Sequence, residues 1–224
     1  MSDTPTVFDD IVRGRRSLRA FLPRPVPRET LEHIFAVAQR APSNCNTQPW
    51  LAHVASGESL EALRSQMSER FMAGDMSMDF PYEGKYEGVY KERQYGSAQA
   101  LYDAVNITRE DKAGRQVQFM RNFTFFDAPH VAFMFLPEPF GLREAADLGM
   151  YAQTLMLAMT AHGLGSCPQT ALSFQANFIR ESLGIDASNK LLFGISFGYP
   201  DPDAPANTCV TDRASVADSV VFHD

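Results

Sequence analysis

Residues 143–170 read REAADLGMYAQTLMLAMTAHGLGSCPQT, and no Asp, Glu, Lys or Arg occurs between Leu148 and Ile179. The part from Arg143 to His162 has helical length and is apolar on nearly every face, through Leu148, Met150, Tyr151, Leu155, Met156, Leu157 and Met159. A helix without a polar face must be covered on all sides. A membrane span is disfavoured, because Gly163, Gly165 and Pro168 break the run and His162 and several glutamines interrupt it. The reading is a deeply buried helix. In a chain this small, part of its cover is expected from a second copy, across a large obligate dimer interface.

Either side of this helix lie two nearly continuous apolar runs of strand length, His130–Leu136 and Lys190–Tyr199, which read as buried strands of one sheet. Trp50–Ala55 reads as a further strand, and Val7–Arg13 and Leu60–Phe71 as helices. Leu31, Ile34, Phe35, Ala38 and Ala41 recur at helical spacing behind Pro27, which predicts an amphipathic helix over Pro27–Ala41. Residues from about 73 to 122 are rich in Met, Tyr, Gly, Gln and charge. Partial helical periodicity at Tyr90–Val105 and Lys112–Met120 suggests helices over a site.

With 224 residues, 45% hydrophobic and 21% charged, the chain suits one domain spanning 1–224 with its own core. Its 20 Lys plus Arg against 27 Asp plus Glu give a formal charge of -7, which disfavours nucleic acid or an anionic membrane as partner. Cys45, Cys167 and Cys209 form no framework and no CxxC motif, so a reduced, cytoplasmic setting is expected. The first ten residues carry acids and no apolar core, so no secretion peptide is expected.

Two polar segments stand out. Arg15, Arg16 and Arg19 surround Ser17 within five residues, enough forked donors to enclose a phosphate. Taken alone, such a cluster is equally a solvated basic turn or a nucleic-acid contact. The second is Ala41-Pro42-Ser43-Asn44-Cys45-Asn46-Thr47-Gln48-Pro49-Trp50, a loop of short polar side chains that can present several amides and hydroxyls at once. An ordinary helix-ending turn needs only a few of these residues.

Together these segments resemble the FMN-dependent nitroreductase family, over nearly the whole chain. Arg15-Arg16-Ser17-Leu18-Arg19-Ala20-Phe21 matches the family segment that grips the FMN phosphate and ribityl chain. Pro42-Ser43-Asn44-Cys45-Asn46-Thr47-Gln48-Pro49-Trp50 matches the loop that reaches the flavin from the partner subunit, which implies roles for Pro42, Ser43, Asn44, Asn46 and Gln48. The apolar helix running into Cys167-Pro168-Gln169-Thr170 is similar to the family's dimer-core helix and flavin floor, with backbone amides near Thr170 facing flavin N5. Gly198-Tyr199-Pro200-Asp201 and Thr211-Asp212-Arg213 are similar to the C-terminal stretch in which a basic residue, here Arg213, completes the phosphate site. Some relatives carry a second basic residue where this chain has Thr211.

The resemblance implies an α+β fold with a mixed, mostly antiparallel sheet flanked by helices, two chains interlocking around two flavins. It implies a ping-pong reaction in which NADH or NADPH delivers hydride to FMN and a nitroaromatic or quinone-like acceptor follows at the same face. No side chain need then act as acid, base or nucleophile. The aromatic and Met-rich stretch from Phe71 to Phe126, which includes the helical lid region at about 73–122, supplies Tyr90, Phe123 and Phe126 as candidate substrate walls, with core packing as the competing role. Reductive dehalogenation and flavin destruction reuse the same scaffold, and a non-catalytic flavin-binding dimer is the non-enzymatic alternative.

Other motifs argue less. Gly194-Ile195-Ser196-Phe197-Gly198 fits the GxSxG pattern of serine hydrolases, with Asp212 and His223 following in order. A nucleophile elbow must turn from strand into helix, and Tyr199-Pro200-Asp201-Pro202 cannot do so, so Ser196 reads as a buried strand residue. The five histidines form no metal-binding spacing. No GxGxxG follows a strand, so a nicotinamide would visit the flavin and have no domain of its own.

Overall fold

The computed structural model describes residues 3–223. Its first helix, α1 (Thr4–Gly14), starts at Asp3, whose carboxylate accepts from the Thr6 N–H at 3.1 Å. Helix α2 (Arg28–Ala38) begins directly after Pro27, and the chain has left helical form by Ala41. Strand β1 (Leu51–Ser56) leads into α3 (Gly57–Met72), and α4 (Gly88–Ala104) and α5 (Lys112–Met120) follow. Then come β2 (His130–Pro137), α6 (Leu142–Ala161), β3 (Gly165–Gln169), α7 (Ala176–Leu183) and β4 (Asn189–Gly198).

The four strands form one sheet in the order β1-β2-β4-β3, every neighbouring pair antiparallel. Among the described residues, parallel pairing is confined to an isolated bridge between Ser17 and Ser166. Alternate residues of β2 feed two cores: Ala132 and Met134 pack with Ile34, Tyr151 and Leu155, while Val131, Phe133 and Phe135 pack with Leu63, Met67 and Ile179. Because α2 and α6 cover one face and α3 and α7 the other, the strand is apolar at every position from Val131 onward. His130 anchors its start: the Val26 N–H donates to Nε2 at 2.9 Å, which leaves the proton on Nδ1 for the Ser56 hydroxyl.

The glycines of the GxSxG segment serve packing. A Cβ on Gly194 would meet Leu172 Cδ1 at 2.5 Å, and one on Gly198 would meet Pro129 Cδ at 2.7 Å.

Helix α6 carries Leu148, Tyr151, Leu155, Met156 and Met159 inward, and Tyr151 stacks on Trp50 with ring centres 4.8 Å apart. Its covering is incomplete within one chain. Leu142 is 90% exposed and Met150 41%, α1 buries none of its residues and shows Phe8 at 59%, and Val221 and Phe222 of the C-terminal segment also face outward. No helix among the described residues is long and apolar enough to cross a membrane.

Candidate functional site

At the end of α1 the chain turns extended at Arg15 and runs alongside β3. The Leu18 N–H donates to the Ser166 carbonyl at 3.1 Å. Gly165 permits this approach, since a Cβ there would lie 2.7 Å from Leu18 Cδ1 and 3.3 Å from Phe21. On the other side the turn is held by Asn207, a buried residue that the sequence did not single out. Its Oδ1 accepts from the Arg19 N–H at 2.8 Å, and its Nδ2 donates to the carbonyls of Ala20 at 2.8 Å and Asp201 at 2.9 Å.

The turn so fixed lines a cavity of about 500 Å³ that gathers Arg15, Arg16, Ser17 and Arg19 with Arg213 from the far end of the chain. Among the described residues none of these four guanidinium groups forms an ion pair with a carboxylate. Burial and the facing Arg213 cation together pull the Arg15 guanidinium below its ordinary range. Like charges held together at a partly desolvated site repel, and an anion placed between them relieves that cost. Arg213 is oriented by Thr211, whose hydroxyl and carbonyl accept from Nη1 at 2.9 and 3.1 Å, and by the Asp212 carbonyl at 2.8 Å. Thr211 thus serves as a positioning acceptor for Arg213. Helix α4 closes the cavity through Ser97, and an adjoining trough runs between α4 and the C-terminal segment past Arg93 and Arg213.

The polar loop takes unusual backbone conformations, with positive φ at Cys45 (50°), Asn46 (57°) and Gln48 (47°). It is stabilised by the Asn44 N–H on the Asp147 carboxylate at 3.1 Å and the Gln48 N–H on Ser43 Oγ at 3.0 Å. Pro42, Asn44, Asn46 and Gln48 face outward, with Ser43 half-buried, and none lines the arginine cavity of its own chain.

Strand β3 continues past its parallel bridge with the arginine turn. Ser17 pairs with Ser166, so at about 3.3 Å per residue Pro168 to Thr170 lie roughly 7 to 13 Å further along. Pro168 and Thr170 are exposed. Gln169 is corrected: its side chain points inward, donating to the Asn122 carbonyl at 3.0 Å and accepting from Ser196 Oγ, so only its main chain remains for a ligand. Two of the expected substrate walls are also corrected. Phe123 is wholly buried and stacked on Phe71, and Phe126 is 2% exposed in a small core with Phe21 and Cys167, so neither offers a surface. Tyr90 stands on α4 at 65% exposure.

Ser196 is fully buried in β4, paired with Val131 and Cys167, and its hydroxyl is spent on Gln169; it is no nucleophile. Burial raises the Cys167 thiol to about 11 in spite of Arg19 and Arg15, which keeps it protonated and inert. Among the described residues no cluster could hold a metal ion.

An α+β chain with a two-sided antiparallel sheet brings together, between its first helix and its C-terminal segment, four arginines without a carboxylate partner among the described residues, a donor set whose chemistry suits an anion. Residues 12–199 match the model of the nitroreductase family, and the chain belongs to it. It is 42% identical over 221 residues to nitroreductase NfnB of Mycolicibacterium smegmatis, covering 98% of this chain and 94% of that one. A crystal structure of the FMN-dependent nitroreductase NfnB from Mycobacterium smegmatis in complex with NADPH superposes with a TM-score of 0.95 at 42% identity, over 99% of this chain and 100% of the other. A 4-nitrobenzoate reductase of Pseudomonas putida is 35% identical over 204 residues, covering 90% of this chain and 88% of that one.

Proposed function

We propose that this chain is an FMN-dependent oxidoreductase that passes electron pairs from NADPH or NADH to nitroaromatic or quinone-like acceptors, acting as a cytoplasmic homodimer. The observation that carries the reading is the convergence of Arg15, Arg16, Arg19 and Arg213 without a carboxylate partner among the described residues. A phosphate monoester dianion suits this donor set, with forked guanidinium groups, the Ser17 hydroxyl and little competing negative charge. FMN, when bound, supplies two-electron chemistry between nicotinamide and acceptor.

The chain's own groups hold and enclose it. The arginine turn and Arg213 bind the phosphate, and Asn207 keeps that turn in place. The exposed end of β3 at Pro168–Thr170 lies where a flavin ring extending from that phosphate along the strand would rest. The loop of Pro42, Ser43, Asn44, Asn46 and Gln48 points away from its own cavity, which suits delivery to the flavin of a second subunit. The uncovered rows on α1, α6 and the C-terminal segment are the apolar surface such a dimer would bury. The described region between α3 and β2 serves as a lid within a single domain.

Product analysis tests the assignment against dehalogenation. The holoenzyme with NADPH is given 4-nitrobenzoate and, separately, a halogenated phenol. Reduction of the nitro group without halide release is expected, whereas halide release with an intact nitro group would move the chain to the other chemistry.

A further inference from the structure

From Pro81 to Val117 no residue is buried, and α4 packs none of its side chains into a core. A segment with so few buried contacts has little stability of its own and takes its position from where its ends are fastened. Yet α4 walls the arginine cavity through Ser97 and the adjoining trough through Arg93. The chain leading into α4 is fastened at residues 77–82, six residues before Gly88. Asp79, 9% exposed, receives both Nη groups of Arg180, itself 8% exposed, and also accepts from the Leu191 N–H at 2.7 Å. Two further N–H groups of Arg180 go to the Asn177 side chain at 2.6 Å and the Asn189 carbonyl at 3.1 Å. Two residues earlier the Ser77 N–H donates to the Phe174 carbonyl at 2.8 Å, and Ser77 Oγ accepts from the Asn177 N–H at 3.0 Å. Tyr82 then stacks on Phe174 with ring centres 6.1 Å apart.

This cluster ties residues 77–82 to α7 and β4, on the sheet face opposite α6, and none of its groups belongs to the arginine cavity. A buried, bidentate ion pair with further hydrogen bonds on both partners contributes little net stability relative to apolar packing, but it fixes one geometry, and losing one partner is costly. We infer that Asp79 and Arg180 are positioning residues: they form a latch that sets α4 against the cofactor cavity and so governs how tightly the enclosed molecule and its acceptor are held. The catalytic part of this inference rests on the proposed flavin chemistry, while the structural part does not.

The test is amide hydrogen exchange on the purified protein together with steady-state kinetics, for Asp79→Asn and for the milder Ser77→Ala, which keeps the ion pair. The latch predicts that protection of 88–104 falls about tenfold in Asp79→Asn and a few-fold in Ser77→Ala, with β2 and β4 unchanged. It also predicts a higher KM for the nitroaromatic acceptor with kcat within about twofold of wild type, and partial recovery of protection in Arg180→Lys relative to Arg180→Gln. Unchanged exchange at 88–104 in every variant that folds, or a loss of protection spread evenly over the sheet, overturns the latch. Altered exchange in a protein that shows no flavin chemistry would leave the latch standing and refute the proposed activity.

Discussion

Replacing Arg15 by alanine separates a binding cation from a structural one. Its guanidinium makes no hydrogen bond and no ion pair to the protein among the described residues, so the substitution leaves no protein group unpaired. In the ligand-free protein the change also removes a charge that faces Arg213, whose proximity pulls Arg15 below its ordinary range. Apo stability should therefore equal or slightly exceed that of wild type. FMN affinity should fall by about 10- to 150-fold, the equivalent of one charge-assisted hydrogen bond of roughly 1.5 to 3 kcal/mol. Deflavinated protein titrated with FMN by fluorescence quenching, with thermal melts of the apo form in parallel, reads both quantities. An unchanged Kd, or an apo melting temperature several degrees lower, would refute the reasoning, because either result would make Arg15 part of the scaffold.

Three further outcomes are expected. Asn207→Ala strands the Arg19 N–H and the Asp201 carbonyl, at up to about 1 to 3 kcal/mol each, and takes one of two donors from the Ala20 carbonyl, which keeps the Asp201 N–H; it should lower both the melting temperature and FMN affinity, the reverse of the Arg15 pattern in the apo form. Gly198→Ala places a Cβ 2.7 Å from the stiff ring of Pro129 and should cost about 1 to 3 kcal/mol in chemical denaturation, with flavin affinity unchanged. Burial depresses the imidazole of His130 below its usual range, and that of His53 likewise. The unfolded chain binds the protons first, so this contribution is complete above about pH 6.5 and is lost as pH falls through the folded value. Melts between pH 5 and 8 should show a decline on the acid side, by at most about 1.4 kcal/mol per pH unit per histidine, and His130→Asn should flatten it.

Much of the fold was legible because burial on both faces writes a simple pattern. The runs at His130–Leu136 and Lys190–Tyr199 are nearly continuously apolar for the reason the two cores make plain. The helix from Arg143 to His162 reads as needing cover on all sides, and the single chain leaves a row open at Leu142 and Met150. Strand β3 was hidden: Gly165, Ser166, Cys167, Pro168 and Gln169 have no strand preference, and they become extended because β4 offers a partner. The signal for α7 was present in Gly184, which ends it in the left-handed conformation with φ 64° beneath Phe178 and Ile179.

In the site, the arginine turn and Arg213 were found as motifs and lie together around one cavity. Asn207 carried no local signal, since its importance comes from a fold that places it against Arg19, 188 residues away. Phe123 and Phe126 show the limit from the other side: aromatic residues beside a lid are as readily core, and only their burial decides.

The central claim is tested most directly by the absorbance spectrum of the purified protein during anaerobic addition of NADPH. The account predicts a yellow protein, or one that becomes yellow on loading with FMN, whose flavin bands bleach stoichiometrically and return when a nitroarene is added. A protein that cannot be loaded with FMN, or a bound flavin that NADPH leaves oxidised, would contradict it.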